Sequence, residues 1–193
     1  MDSISQYSPE RVADRMQIQD VMYRWCRAID RLDYDGIRDV FHPDAIDTHG
    51  IYNGDIEGLI AWARERHRAI PFSMHQVSNM LIEFATPDVA MSEAYLRTIQ
   101  RYPLEAASAL KQLANGYEPE GPSDLWTCSR YIDRFERRKG EWKIARRVLA
   151  QEWKLVTPVP SPSPAHVPGS VVGRRDADDP VYALRKEWGF PSA

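Results

Sequence analysis

The sequence predicts an α+β fold in which helices come first and antiparallel strands follow. Apolar residues in the first part of the chain recur at spacings of four, three and four residues, as in Ile18, Met22, Trp25 and Ile29, and this is helical periodicity. From about residue 74 the segments become strand-like and are separated by short turns. Helices followed by a run of strands are typical of α+β domains.

Two longer helices are predicted before the long strands of the second half. Ser8 can cap the first, Pro9 suits its first turn, and the periodicity continues to about Asp30. A later helix is predicted over residues 55–68, and Pro71 ends it.

A short helix and a small hairpin are predicted between these two helices. The short helix starts near Asp33 or Asp35 and ends at residues 42–43 (His-Pro). Residues 45–49 are predicted to form a short strand, and residues 50–54 a turn with a return strand. The apolar face of the short helix consists of Ile37, Val40 and Phe41.

The second half of the chain is predicted to form long strands over residues 74–84, 89–102, 125–137 and 141–156. The last two are joined by a tight turn at Lys139-Gly140. Residues 103–124 lie between the second and third of these strands, where we expect one helical turn or two. A connection of this length in a compact domain is often functional.

The composition changes after residue 157, which divides the chain into a domain at residues 1–157 and a tail at residues 158–193. Alternating prolines predict an extended connector that is excluded from the centre of a sheet. Aromatic residues near the end of the tail predict that it docks on the domain or on a partner subunit. The prolines are Pro158, Pro160, Pro162, Pro164 and Pro168.

The composition excludes several functional classes. With 193 residues, 43% of them hydrophobic and 27% charged, the chain has the composition of a soluble globular protein. A net charge of -3 without a long basic run argues against nucleic-acid binding. No apolar run is long enough for a membrane span. The sequence also lacks the glycine-rich loop motifs that bind nucleotide cofactors. Cys26 and Cys128 are expected to be buried free thiols, and residues 1–10 lack signal-peptide features, which together predict a cytoplasmic protein.

Asp30 is the first candidate for chemistry. It ends an amphipathic helix on the side that also carries Tyr23 and Cys26, seven and four positions earlier. A carboxylate that continues an apolar stripe is costly to bury without a partner. The structural alternative is an Asp at the helix end, in solvent or capping the next turn, although Asp33 and Asp35 suit the cap better.

His75 is the second candidate, because it follows a proline-marked loop at the start of a strand. Imidazole titrates near neutral pH and suits proton abstraction when a carboxylate orients it. A lone strand histidine is otherwise a structural residue. Asp47 and His49 alternate onto one face of another strand. A metal bound by Asp30, Asp47, His49 and His75 is the weaker interpretation, because no short-range ligand motif is present.

Two arginines are further candidates for stabilising an anion or a leaving group. Arg147 shares a strand face with Leu149 and Gln151, and Arg97 shares one with Tyr95. The structural alternative for each is a solvated strand arginine.

Six segments of the chain, taken in order, carry a resemblance to a known family. They are 17–20 (QIQD), 28–33 (AIDRLD), 41–45 (FHPDA), 74–79 (MHQVSN), 131–137 (YIDRFER) and 140–144 (GEWKI). On these segments the chain resembles, over about residues 14–154, the SnoaL-like members of the nuclear-transport-factor-2-like superfamily, which include hexachlorocyclohexane dehydrochlorinase, scytalone dehydratase and bile-acid dehydratases.

This resemblance implies a cone-shaped curved sheet with three N-terminal helices that enclose a pocket. It also implies a catalytic dyad of Asp30 and His75, assisted by Arg147. Trp25 stands where some relatives have Lys or Tyr. The residues implied to bind substrate are Tyr23, Trp25, Asp47, His49, Tyr95, Arg97, Thr127, Tyr131, Leu149 and Gln151.

The function expected from the dyad is a cofactor-independent lyase without a metal. It would perform dehydration, elimination or carbon–carbon cleavage such as loss of formaldehyde, on a small hydrophobic ring-containing substrate such as a steroid or a lignin-derived aromatic. A homodimer or homotrimer is expected. The alternatives are a non-catalytic homo-oligomer that binds a hydrophobic ligand, and the small subunit of an aromatic-ring dioxygenase.

Overall fold

A computed structural model describes residues 5–160 and 166–191 of the chain. The helices are α1 (Pro9–Arg31), α2 (Tyr34–Val40), α3 (Ile56–His67), a 3₁₀ turn (Leu104–Ala106), α4 (Ala107–Leu113) and α5 (Pro180–Glu187). The strands are β1 (Phe41–His49), β2 (Tyr52–Asp55), β3 (Phe72–Thr86), β4 (Val89–Tyr102), β5 (Ser123–Arg138) and β6 (Glu141–Pro158).

The six strands form one curved sheet that does not close on itself, in the order β2-β1-β6-β5-β4-β3. All neighbouring strands are antiparallel except β1 and β6, which are parallel. The three N-terminal helices lie against the sheet. The predicted α+β fold with a cone-shaped sheet is therefore confirmed.

The helices begin where the sequence places caps. The Ser8 side chain accepts a hydrogen bond from the Arg11 N–H, and Pro9 is in the first turn of α1. Asp33 caps α2 and Asp55 caps α3 in the same way. Each cap satisfies one of the N–H groups that a helix start leaves without a backbone partner.

Strand β1 begins at Phe41, four residues earlier than predicted, so Phe41 belongs to the strand and not to the apolar face of α2. The register between β1 and β6 shifts between Phe41 and Ile46. This irregularity accommodates Pro43, which has no N–H to donate to a regular ladder. The His-Pro pair therefore does not mark the boundary that we expected.

The main core lies between the helices and the inner face of the sheet, and includes Ile18, Trp25, Ile37, Tyr131 and Ile144, all at most 1% exposed. Residues 103–124 form the 3₁₀ turn and α4, in agreement with the expected one or two helical turns. Leu110 of α4 packs with Tyr102 and Leu125 in a second, smaller cluster. This cluster closes one end of the inner face.

The tail contacts α1 through polar residues. Asp179 is 4% exposed, forms an ion pair with Arg31, and accepts a hydrogen bond from the Arg174 N–H. The aromatic residues expected to dock, Trp188 and Phe190, are 64% and 56% exposed. Pro162 and Pro164 of the expected connector lie outside the described residues. The division at residue 157 stays a prediction.

Candidate functional site

Asp30 and His75 form a hydrogen-bonded pair. Asp30 is near the end of α1, and His75 is near the start of β3. The His75 Nδ1 atom lies 2.6 Å from Asp30 Oδ1, and the two side chains are 5% and 12% exposed. The His75 backbone N–H donates to Asp30 Oδ2 at 2.8 Å, and Ser73 Oγ donates to Oδ1 at 3.0 Å. Three donors therefore hold the carboxylate in one orientation.

The pair fixes which nitrogen of His75 carries the proton. An ionised carboxylate only accepts hydrogen bonds, so Nδ1 is the donor and Nε2 of the neutral ring is the free base. The ring lines a cavity of about 220 Å³ on the inner face of the sheet. The arrangement is that of a general base oriented by a carboxylate.

The cavity is also lined by five residues that the sequence predicted to bind substrate. They lie on β1, β5 and β6, and are His49, Thr127, Tyr131, Leu149 and Gln151. The register of β5 and β6 explains this grouping, because Tyr131 is opposite Leu149 and Ser129 is opposite Gln151. Directly opposite residues in a sheet point to the same face.

Tyr95 and Arg97 do not line the cavity, contrary to the prediction. Thr98 of β4 is opposite Thr127 of β5, and Leu96 is opposite Ser129. Even-numbered residues of β4 therefore share the inner face with odd-numbered residues of β5, because alternate residues of a strand point to opposite faces. Tyr95 and Arg97 are exposed on the outer face, and Leu96, Thr98 and Gln100 line the cavity instead.

The two predicted residues of α1 also lie outside the cavity. Tyr23 is 57% exposed on the outer side of the helix. Trp25 is 1% exposed in the core, where its Nε1–H donates to the Tyr131 hydroxyl at 3.1 Å. Trp25 thus supports a cavity-lining residue from behind.

Arg147, predicted to assist catalysis, does not line the cavity. It is fully buried and donates two hydrogen bonds of 2.8 Å to Asp133, which is opposite it on β5. Its guanidinium lies 3.9 Å from the Tyr131 ring centroid, on the core side. Burial opposes the charge, but Asp133 outweighs this and raises the pKa of Arg147. The arginine is the cation of a core ion pair.

Asp47 and His49 form a looser pair on β1. Nδ1 of His49 lies 3.2 Å from Asp47 Oδ1, without hydrogen-bond alignment, and Asp47 is fully buried. The His49 ring lies between Trp62 and Tyr131, with centroid distances of 5.8 and 6.0 Å. Burial lowers the pKa of His49, and Asp47 only partly opposes this. A second imidazole, neutral at pH 7, therefore lines the cavity.

Several cavity residues were missed in the sequence. Trp62 and Arg66 lie one turn apart on α3, and both line the cavity. The Arg66 guanidinium lies 4.5 Å from the Trp62 ring centroid. The spacing of four was a usable signal, because such residues share a helix face. Gln100 and Lys154 are further lining residues, and only the strand register identifies them.

A cluster of basic groups lies next to the dyad. The His67 Nε2 is 2.5 Å from Arg66 Nη2, and its Nδ1 is 2.9 Å from Nη2 of Arg175, a tail residue. Burial, followed by the two arginine charges, holds the pKa of His67 well below its ordinary value. Arg175 also donates to the carbonyls of Asp30, Ile29 and Ile70. It thereby caps the end of α1 that carries Asp30.

Other chemistry has less support in the structure. Among residues 5–160 and 166–191, no group of three or more His, Cys, Asp or Glu side chains is arranged to hold a metal ion. Both cysteines are free and partly buried, and burial raises the pKa of Cys26 to about 12. Within the same described ranges, no helix is long and apolar enough to cross a membrane.

Solved structures share the fold. Hexachlorocyclohexane dehydrochlorinase (LinA) type 2 is 19% identical, with a TM-score of 0.65 over 83% of this chain and 98% of that one. A protein provisionally assigned as a scytalone dehydratase from Novosphingobium aromaticivorans is 16% identical, with a TM-score of 0.61 over 77% and 91%. Kfla4162 from Kribbella flavida is 17% identical, with a TM-score of 0.63 over 75% and 94%. At these identities the likeness concerns the fold alone.

The sequence comparison gives the family. No curated protein matches the chain, but the family model of the SnoaL-like domain matches residues 10–148. These residues include α1 except Pro9, strands β1 to β5, the first eight residues of β6, and both Asp30 and His75. The protein belongs to the SnoaL-like domain family.

Proposed function

We propose that the protein is a cofactor-independent lyase in which His75, oriented by Asp30, removes a proton from the substrate. The observation that carries the proposal is the 2.6 Å contact between His75 Nδ1 and Asp30 Oδ1, together with the position of the His75 ring in the cavity wall. No described side chain bonds to Nε2, so this nitrogen is available to a substrate. The solved relatives named as a dehydrochlorinase and a dehydratase are consistent with this class of reaction.

The proton moves from a substrate carbon or hydroxyl to Nε2 of His75. The electron pair left behind forms a double bond, and the bond to the leaving group breaks with its own electron pair. Asp30 stabilises the imidazolium that forms, because it already accepts the Nδ1–H. General base catalysis of this kind contributes on the order of 10²–10⁴-fold to the rate.

His49 is proposed to donate a hydrogen bond to the leaving group, because a neutral imidazole carries one N–H. It lines the same cavity as His75 but comes from β1, which lies next to the edge strand opposite β3. A leaving hydroxide would take its proton from the imidazolium of His75 and depart as water. In loss of formaldehyde, His75 would take the hydroxyl proton of the hydroxymethyl group as the carbon–carbon bond breaks, and the carbon that keeps the electron pair would then take this proton from His75.

The size of the cavity favours a single-ring substrate. Its volume of about 220 Å³ is below the ~300–1,000 Å³ common for pockets that hold drug-sized ligands. Trp62, Leu96, Leu125 and Leu149 supply apolar walls. Of the substrates that the sequence suggested, a small lignin-derived aromatic fits this volume better than a steroid does.

The outer face of the sheet supports the expected homodimer or homotrimer. Large apolar side chains remain exposed there, and a contact with a second copy would cover them. They include Met74, Met91, Tyr95, Trp153 and Leu155, each between 39% and 50% exposed.

The test is a screen of single-ring compounds that carry a hydroxyl or a hydroxymethyl group, with loss of water or formaldehyde followed by mass spectrometry. We expect His75→Ala to lower kcat about 10²–10⁴-fold, because the base is removed. His49→Gln is expected to lower kcat less, and mainly for substrates with poor leaving groups.

His166→Ala is the matched control, because this histidine is exposed in the tail. It should leave kcat unchanged. Turnover that survives His75→Ala would remove His75 as the base. Ring compounds that bind without any turnover would instead support the ligand-carrier alternative.

A further inference from the structure

The walls of the cavity carry positive charge and no acid. The residues that line it include Arg66 and Lys154 but no Asp or Glu. The two histidines on the walls do not balance these cations, because an imidazole never supplies the negative charge of a carboxylate. Asp30 reaches the cavity only through the His75 ring. The cavity is therefore electrostatically suited to an anion.

Arg66 has no acidic partner in the described part of the chain. Its polar contacts are the ring of His67 and the side-chain oxygen of Gln100, the latter at 3.5 Å, and its buried Nε has no partner. Burial lowers the pKa of Arg66, and no carboxylate contributes in the other direction. A guanidinium has five N–H donors, and most of those of Arg66 remain available.

The neighbouring contacts increase this surplus of donors. Arg66 and Arg175 approach the two different nitrogens of His67. A neutral imidazole has only one acceptor nitrogen. When Nδ1 accepts from Arg175, Nε2 carries a hydrogen and offers nothing to Arg66. An acceptor that enters the cavity would satisfy the group that the protein leaves unpaired.

Lys154 adds a second cation. It lines the cavity beside Gln112 and Leu113, and its Nζ donates to the Leu113 carbonyl at 2.7 Å. That carbonyl is a neutral partner, so the lysine keeps its charge uncompensated. Trp62 packs against the Arg66 guanidinium and offers an apolar surface next to the charge.

We propose that the cavity binds an aromatic carboxylate, with the carboxylate on Arg66, its ring against Trp62, and Lys154 as a weaker second cation. This inference rests on the proposed function, because it names the substrate class of the same cavity. Arginine suits the role, since its planar fork binds carboxylates through two parallel hydrogen bonds.

The experiment compares two probes of the same shape, benzoate and benzamide, by isothermal titration calorimetry at pH 8 with the wild-type protein. We expect benzoate to bind roughly 10-fold or more tightly than benzamide, because only benzoate forms charge-assisted hydrogen bonds. Equal affinities, or tighter binding of benzamide, would overturn the proposal without any variant being made.

Variants then locate the anion. Arg66→Gln should weaken benzoate binding roughly 10- to 100-fold and leave benzamide nearly unchanged, and Lys154→Gln should weaken benzoate binding only a few-fold. Arg64→Gln is the matched control, because Arg64 is exposed on the same helix and stacks on Tyr34 outside the cavity. A loss of benzoate affinity in Arg64→Gln equal to that in Arg66→Gln would contradict the assignment.

One further arm separates this inference from the proposed function. His75→Ala should keep its affinity for benzoate, because the base is not part of the anion site. If benzoate binds but no ring compound is turned over, the ligand class holds and the lyase proposal fails. If neutral rings are turned over while benzoate does not bind, the lyase proposal holds and the carboxylate inference fails.

Discussion

The pairs Asp133–Arg147 and Asp30–His75 are both buried and hydrogen-bonded, and of these two only Asp30–His75 faces the cavity. Asp133 and Arg147 are opposite each other on β5 and β6, with side chains that are 0% exposed. Asp30 and His75 join α1 to β3, and their side chains are 12% and 5% exposed. Burial and short hydrogen bonds are therefore common to both pairs.

The two pairs differ in what covers the basic side chain, Arg147 in one and His75 in the other. Three aromatic rings surround Arg147, and the Tyr131 ring separates it from the cavity. The His75 ring is itself part of the cavity wall. A buried charged pair thus indicates a site only when one of its atoms is left for a ligand, and Arg147 belongs to the architecture of the core.

The largest effect that tests this comparison is expected from Arg147→Met. The change leaves Asp133 buried without its cation, and breaking such a pair costs about 3–5 kcal/mol. Urea denaturation measures the loss. The double variant Arg147→Met with Asp133→Leu should recover most of it, because neither charge of the pair is then left without its partner. A stable Arg147→Met variant that has lost turnover would place Arg147 in the chemistry and break the comparison.

A smaller effect is expected from Arg175→Gln, which removes the cation that caps α1 behind the dyad. Loss of its hydrogen bonds to the carbonyls of Asp30 and Ile70 should cost about 1–3 kcal/mol. Hydrogen exchange at the His75 amide, which donates to Asp30, should become faster. Arg174→Gln is the control, because its ion pairs with Asp176 and Asp178 are exposed and exposed pairs contribute little to stability.

The smallest effect is a dependence of stability on pH that comes from His67. Its folded-state pKa is held below the ordinary value of 6.5, so below pH 6.5 the unfolded chain binds a proton that the folded protein does not. Stability should therefore fall as the pH decreases from 6.5 towards the folded pKa, by up to about 1.4 kcal/mol per pH unit.

Denaturation curves of wild type and His67→Gln between pH 5 and pH 8 measure this slope. His67→Gln should reduce the slope of unfolding free energy against pH by the contribution of this one histidine. His166→Gln, altered at an exposed site, should have the same slope as the wild type. A slope that His67→Gln leaves unchanged would assign the acid sensitivity to other groups, His49 first among them, because burial lowers its pKa as well.

The sequence predicted the types and order of the elements well, since helical periodicity and caps are local properties. The end of the first helix and the start of β4 show this, at Arg31 and Val89. The helix α5 was missed although Asp179 and Pro180 form a recognisable start: Asp179 accepts from the Val181 N–H, and Pro180 occupies the first turn.

The cavity could be predicted only in part, because which face a strand residue takes depends on register. Thr127 and Tyr131 were placed correctly on β5, but the same odd-numbered pattern was wrong for Tyr95 and Arg97 on β4. No local sequence signal in one strand determines which residues of the neighbouring strand face the same side of the sheet. The contact between Arg175 and the Asp30 carbonyl could not be predicted either, because it joins residues 145 positions apart in the sequence.

That separation has a consequence for how the site is made in the cell. At ~5–20 residues per second, the ribosome needs roughly 7–30 s after making Asp30 before it adds Arg175, 145 positions later. For that interval the carbonyls at the end of α1 have no arginine to accept from, and the basic cluster around His67 lacks its second guanidinium. The site is therefore completed only after all six strands of the sheet have been synthesised, although Asp30 is made before any of them.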